Sequence, residues 1–393
     1  MITTARRAPL EPVSGNTPET RPINLAYFPA LDGLRGAAFL VMFSYHYLEL
    51  PWGWTSIDTF FILSGFLITG ILVDMREDPH RVRNFYIRRT LRIFPLYYGV
   101  ILLLALLYPV FHWDWTPVYM VWPLYLGNLV QFLYPFQPYA SLYSVTMAHV
   151  HSVTFPRVDL FFGHFWTLCI EEQFYLLWPW VVFSVTNRKK LMYICAAFVV
   201  ACPLMRAMSI HLLPLAMVGG GANIWFTPFR IDTLLLGALL ALVRRGPNAR
   251  MMPAVARTGF VLLSTVMLVW LLVIARAKFL APVYPYPAWS STWGLMIVDW
   301  FSACLIVMAL EYRSVTFRIF NVRPLRWLGR ISYGAYVFHD VFHAMFRRFA
   351  RHYFVHWSLA TALIALAFTL LISWASYRWF ESPFIRMKSR WSR

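Results

Sequence analysis

Apolar runs of about 18 residues or more recur along the whole chain. A run of that length crosses a hydrocarbon core of ~30 Å as one helix. A helix satisfies its own backbone polar groups, as a lipid environment demands. Composition agrees: 60% of residues are hydrophobic and 13% charged, against roughly 25% charged in an average soluble domain. A soluble core this apolar could not be covered with polar surface. The expected fold is therefore all-α, a polytopic integral membrane helix bundle. About ten transmembrane helices are expected, near 36–51, 55–74, 93–111, 165–185, 191–210, 226–243, 258–276, 292–312, 331–346 and 358–378.

The net charge of +18 would suggest nucleic acid in a soluble protein. Here Lys and Arg sit in short clusters between apolar runs, the pattern that orients spans toward the cytoplasm. Nucleic acid is thus excluded as a partner, and membrane lipid is the expected surroundings. The clusters are Arg76–Arg92, Arg188–Lys190, Arg244–Arg257, Arg313–Arg330 and Arg378–Arg393. They fall on one side only if the segment 117–135 does not cross. That segment holds Pro123, Gly127, Asn128 and Gln131 and ends at Pro135, so a re-entrant or interfacial path is expected. Both termini are then cytoplasmic. Arg347, Arg348, Arg351 and His352 break the pattern and fall outside. Residues 1–26, with four prolines and no apolar core, read as a disordered cytoplasmic tail without a cleavable signal. Residues 381–393 read as a basic cytoplasmic tail. The stretch 136–163 is the longest soluble excursion, and no internal repeat of the transporter kind is visible.

Several polar residues stand out inside this apolar frame. Cys169, Cys195, Cys202 and Cys304 lie in or beside apolar stretches with no close Cys/His spacing. They read as small buried side chains, and no metal is expected. Arg35 opens the first span and His46 follows eleven residues later, ~16 Å up a helix. Histidine can take a proton from a hydroxyl near neutral pH; the alternative is a histidine bonded to a neighbouring helix. Arg88, Arg89 and Arg92 form a dense basic group at a helix start. They either bind phosphate through their planar forks or set topology and meet lipid headgroups. Glu171 and Glu172 sit in an apolar run. Adjacent helix positions point about 100° apart, so Glu171 alone is expected to face the interior. It could orient His46, hold an arginine, act as an acid or form a structural ion pair. Asp58 and Ser64 are candidates for substrate contact, and Asp58 could instead cap its helix. Asp232 and Arg230 read as a structural pair, and His339 and Asp340 as packing residues. Trp and Tyr around 113–125 could stack on a sugar.

Taken in order, the polar landmarks resemble the acyltransferase 3 family of membrane O-acyltransferases. ALDGLRG at 30–36 followed by His46, IDTFFILSGFLIT at 57–69 and YIRRTLRIFPLYY at 86–98 are similar to the first three helices of that family. HFWTLCIEEQFYLLWP at 164–179 is the closest match, with FRIDTLLLGALLA at 229–241 and LGRISYGAYVFH at 328–339 as later landmarks. SIDTFF departs from the more usual GVDLFF at Thr59, and Cys169 replaces a residue that is commonly Ser. The fused extracytoplasmic hydrolase-like domain of some members is not seen. The resemblance implies a transmembrane acyltransferase domain over 27–380 in a bacterial cytoplasmic membrane. It implies an acyl-CoA donor, often acetyl-CoA, and an acceptor hydroxyl on a saccharide or envelope glycoconjugate. His46 is implied as catalytic and Glu171 as the more regular of the two glutamates. Arg35, Arg89 and Arg92 are implied for the donor, and Arg88 joins them by position. Direct transfer with His46 as general base and transfer through an acyl-histidine both remain open. The rivals from other classes are a flippase of an envelope glycoconjugate and a non-catalytic scaffold.

Overall fold

The computed structural model describes residues 27–48, 50, 53–111, 120–129, 147–150, 158–161, 163–213, 222–277, 290–312, 314–353 and 359–391. The expected tail at 1–26, the sugar-stacking candidates Trp113, Trp115 and Tyr119, and most of the 136–163 excursion lie outside them. Twelve helices of eight or more residues run through the described residues: α1 Pro29–Leu48, α2 Ser56–Asp74, α3 Arg81–Phe111, α4 Trp166–Ser184, α5 Arg188–Leu212, α6 Thr227–Arg244, α7 Met252–Ala277, α8 Leu295–Leu310, α9 Arg323–Val341, α10 His343–Tyr353, α11 Leu359–Ala375 and α12 Ser382–Trp391. A single antiparallel ribbon pairs β1 Met147–Val150 with β2 Val158–Phe161.

Nine of the ten expected spans each overlap one helix, and the ninth, 331–346, overlaps two. Five segments are long and apolar enough to cross a membrane by themselves: Gly53–Asp74, Arg188–Leu212, Pro247–Val269, Thr292–Leu310 and Leu359–Lys388. Helices α1, α3, α4, α6 and α9 carry most of the ionisable landmarks. The ninth span is displaced from expectation. Its helix begins at Arg323 and ends at Val341, and a second helix starts at His343. In the segment 117–135, residues 120–129 are turn and 3-10 structure, in keeping with Pro123 and Gly127, with Tyr125 at positive φ. Trp122 and Tyr125 are core residues, Tyr125 stacking on Tyr97 at 4.2 Å. They are therefore packing residues rather than a sugar platform.

The outer surface is a lipid surface. Leu102, Leu106, Leu176, Val261, Leu262 and Leu371 are all exposed. In water a patch of this kind would drive association. Helix α3 is 31 residues long, ~46 Å at 1.5 Å per residue. It exceeds the hydrocarbon thickness, so its Arg-rich first turns extend into the headgroup layer. The chain turns into it at Asp78, whose carboxylate accepts from His80 N–H and Asn84 Nδ2, both at 2.8 Å. Arg76 closes the far end of α4 by donating to the carbonyls of Val182, Val185 and Thr186.

Two helix crossings set the interior. Without a hydrophobic force between helices in lipid, association relies on close van der Waals packing at small residues. At the crossing of α1 and α9, a Cβ on Gly329 would lie 1.8 Å from the Asp32 carbonyl oxygen. At the crossing of α2 and α6, a Cβ on Gly65 would lie 1.8 Å from the Leu234 carbonyl oxygen. Both contacts are with backbone, which cannot rotate away. Gly65→Val is expected to cost about 2–3 kcal/mol or more through overpacking. Thermal unfolding in detergent measures it; an unchanged melting temperature would mean that the crossing is looser than the coordinates place it.

Candidate active site

Four histidines gather round one aspartate. Helix α1 supplies His46, and the turn at 163–165 that leads into α4 supplies His164. Helix α9 supplies His339 and Asp340, and the first turn of α10 supplies His343. The break after Val341 allows this last step, because it redirects the chain while keeping 340 and 343 on neighbouring turns. It also frees carbonyls at the end of α9, and Tyr47 Oη donates to that of His339 at 2.6 Å. His46 Nδ1 stands 3.3 Å from Asp340 Oδ1, His164 Nδ1 3.5 Å from Oδ2, and His343 Nδ1 3.8 Å from Oδ1. The His339 ring meets those of His46 and His164 edge-on at 5.1 and 5.0 Å. Asp340 and His339 are fully buried, whereas the His46 side chain keeps 20% of its surface exposed. A buried carboxylate in an apolar bundle is costly unless paired, and these imidazoles are its companions.

Two connected cavities approach the cluster. The wider, a vestibule of about 570 Å³, is lined by Arg35, Arg88, Arg89, Arg92, Arg330 and Lys388, with Asp32 and Glu381 among them. It narrows past Arg35, Arg89, Arg92 and Tyr333 into an inner chamber of about 90 Å³. Ser64, Glu171, Glu172 and Tyr175 line that chamber, and Thr167 and Tyr336 stand in its wall. Ser64 Oγ donates to Glu171 Oε1 at 2.5 Å and accepts from Tyr175 Oη at 3.0 Å. The Arg89 guanidinium lies 4.5 Å from the centre of the Tyr175 ring. Thr167 and Tyr336 are hydrogen-bonded to each other, and Tyr336 Oη donates to the His164 carbonyl at 2.7 Å. The chamber wall is thus one residue thick where it meets the histidines.

The structure brings most of the expected residues together. Arg35, Arg89, Arg92, Ser64 and Glu171 share the chamber, and Arg88 joins the first three in the vestibule. Four expectations need correction, the pairing of Arg230 with Asp232 among them, since Arg230 pairs with Asp58 and Asp232 with Arg206. Glu172 lines the chamber beside Glu171, because the cavity wraps far enough round α4 to meet both. The carboxylate beside His46 belongs to Asp340, while Glu171 holds Ser64. Asp58 lines neither cavity: it is fully buried and ion-paired with Arg230. Asp232 in turn pairs with Arg206, in a two-pronged contact at 2.8 and 3.0 Å. Thr233 completes the group by donating to Asp299. This is a polar core tying α2, α5, α6 and α8, and the helix positions leave no surface for Asp58 to offer a hydroxyl substrate. Thr59 is polar for the same reason, since its hydroxyl meets that of Ser302 at 3.0 Å.

His164, His339, Asp340, His343, Arg330 and Lys388 were not among the expected site residues. The available signal for three of them was the run FHDVFH at 338–343, three ionisable residues among six. His46, His339 and Asp340 each present a ligand atom within 4.8 Å of the others, a spacing into which a cation would fit. Breaking the buried pair with Asp58→Ala is expected to destabilise the protein by about 3–5 kcal/mol. Thermal unfolding in detergent gives the value. An unaltered melting temperature combined with weakened acceptor use would restore Asp58 to the substrate path.

Residues 28–378 match the family described as an acyltransferase domain. The chain belongs to this acyltransferase family. It is 28% identical over 367 residues to the peptidoglycan O-acetyltransferase OatA of Listeria monocytogenes, covering 91% of this chain and 56% of the relative. It is 26% identical over 375 residues to the O-acetyltransferase OatA of Staphylococcus aureus, covering 92% of this chain and 58% of the relative. The chain thus spans little more than half the length of these relatives. No solved structure matches.

Proposed function

We propose that this chain transfers an acetyl group from acetyl-CoA to a hydroxyl of a cell-wall saccharide, with peptidoglycan as the first acceptor to test. The observation that carries the reading is a basic vestibule leading through a small chamber to a wall shared with the His46–Asp340 cluster. The relatives' names supply the acetyl group and the acceptor class. A flippase reading would leave this convergence of arginines and histidines unused.

Coenzyme A carries a pyrophosphate and a 3′-phosphate. Arg35, Arg88, Arg89 and Arg92 offer planar donors for them, close to the start of α3, where the unsatisfied amides also favour anions. On the positive-inside pattern this end of the bundle, and both termini, face the cytoplasm. The pantetheine arm extends into the chamber and carries the acetyl thioester there. Ser64 lies against that arm. Glu171 holds Ser64 and offsets the charge of the chamber arginines. The acceptor approaches from the opposite side, where His46 keeps its exposed edge. His46 removes the hydroxyl proton as the oxygen attacks the thioester carbonyl; in the two-step variant His46 carries the acetyl group first. Either route needs no metal. Passage of the acetyl group to His46 requires the Thr167–Tyr336 pair to part.

His46→Ala is expected to lower kcat by about 10²–10⁴-fold in membranes that still contain folded protein. Radiolabelled acetyl-CoA with cell-wall glycan as acceptor reads this, and near-normal labelling would sink the reading. Alanine at both Arg89 and Arg92 removes charged hydrogen bonds worth about 1.5–3 kcal/mol each. The KM for acetyl-CoA should therefore rise at least tenfold (about 1.4 kcal/mol). An unchanged KM would return these arginines to topology and lipid contact.

A further inference from the structure

A second pocket lies beside the vestibule. It is a cavity of about 300 Å³ between the start of α1 and the ends of α2 and α6. Phe28, Leu67 and Ile71 stand in the walls of both spaces. Phe66 extends this apolar wall, its ring 6.3 Å from that of Phe28. Asp74, Arg244 and Arg245 supply the pocket's charges. On the positive-inside pattern these helix ends are cytoplasmic.

The two arginines are used differently. Arg245 is engaged on every side. Its Nε and Nη2 donate to Asp74 at 2.9 and 2.6 Å, its Nη1 to the Ala241 carbonyl and its Nη2 also to that of Gly70. Arg188 Nη1 donates to the Leu242 carbonyl at 3.0 Å. The open carbonyls near the end of α6 are thus served by residues other than Arg244. Arg244 itself has no acid or carbonyl partner among the described residues. Its guanidinium lies over the Phe28 ring, 4.5 Å from the centre. An arginine that only set topology would extend into the headgroup layer. A guanidinium held over a ring keeps its in-plane N–H fork for an anion.

We propose that this side pocket receives the 3′-phosphoadenosine end of coenzyme A, with Arg244 on the 3′-phosphate and Phe28 against the adenine. The inference rests on the acetyl-CoA reading above and narrows it. With the thioester in the chamber and the pyrophosphate among the vestibule arginines, the adenosine end lies beyond the pyrophosphate. The side pocket offers that end an apolar wall for a flat ring and, beside it, a cation without a counter-charge. Asp74 is held by Arg245 and leaves Arg244 unmatched. A phosphate monoester fits such a fork with two hydrogen bonds. Arg244 and Phe28 are then specificity residues. They separate coenzyme A from carriers that present the same phosphopantetheine arm without a nucleotide.

Equilibrium binding of radiolabelled coenzyme A, 3′-dephospho-coenzyme A and 4′-phosphopantetheine to the purified full chain in detergent tests this. The wild-type protein is expected to bind coenzyme A at least about tenfold more tightly than the dephospho form, as loss of a charged hydrogen-bonded contact requires. Arg244→Gln should weaken coenzyme A by that same factor and leave the dephospho form unchanged, which also shows that the variant is folded. Phe28→Ala should weaken both nucleotides by about fivefold or more and leave 4′-phosphopantetheine unchanged. Equal affinity of the wild-type protein for the two nucleotides overturns the proposal, as does a preference for coenzyme A that survives in Arg244→Gln. Phosphatidylglycerol added to the detergent separates the other source of phosphate. A lipid effect that is lost in Arg244→Gln while the nucleotide preference persists assigns the pocket to a lipid headgroup and overturns the proposal. Failure of the wild-type protein to bind any of the three ligands would remove the acetyl-CoA reading itself, and this inference with it.

Discussion

The backbone contact between α1 and α9 is the constraint on which the site depends. Helices in lipid gain nothing from burying apolar surface against one another, so they approach only as closely as their side chains permit. Gly36 and Gly329 remove the side chains at this crossing, and a Cβ at either would collide with the opposing backbone, while Gly33 lies as tightly against the Phe320 backbone just before α9. The approach carries His46 and Asp340, on different helices, to 3.3 Å. It also seats Arg35 over the vestibule that Arg330, one residue beyond Gly329, helps to line. The glycines in ALDGLRG and LGRISYG are thus packing residues, and the ionisable residues beside them are what the packing delivers.

Buried charge is handled in two ways. Asp58 meets Arg230 and Asp232 meets Arg206 directly, Asp299 accepts from Thr233, and none of them lines the vestibule or the chamber. That arrangement ties four helices together. In the chamber and the histidine cluster the charges are matched less completely. Six cations face two acids in the vestibule, and one carboxylate stands among four imidazoles. Incomplete matching is costly in a low-dielectric bundle. It is what a site requires if phosphates are to complete the first group and a proton is to move through the second. On the proposed function, the phosphates of a bound donor supply the missing charges of the first group.

The membrane class, the all-α fold and the basic group at 88–92 were legible in the chain. They depend on local properties: run length, hydrophobicity and the placement of Lys and Arg. The ninth span illustrates the limit. The stretch 331–346 reads as one span, yet the helix ends at Val341, because where a helix turns depends on what its end meets. Asp58 illustrates another. Its place at the start of an apolar span suggested an outward polar contact, and only the fold revealed Arg230 behind it.

The sequence by itself determined that this chain is a helical membrane protein with Arg35, His46, Arg89 and Glu171 as its unusual polar positions, since burying such residues in lipid is costly whatever they face. Only the tertiary structure decided their partners. It set Asp340 beside His46, Ser64 beside Glu171 and Arg230 beside Asp58, across separations of 294, 107 and 172 residues. Spacing along one helix cannot report such pairs. They arise from the crossings between helices, and those crossings depend on where glycine lets two backbones touch.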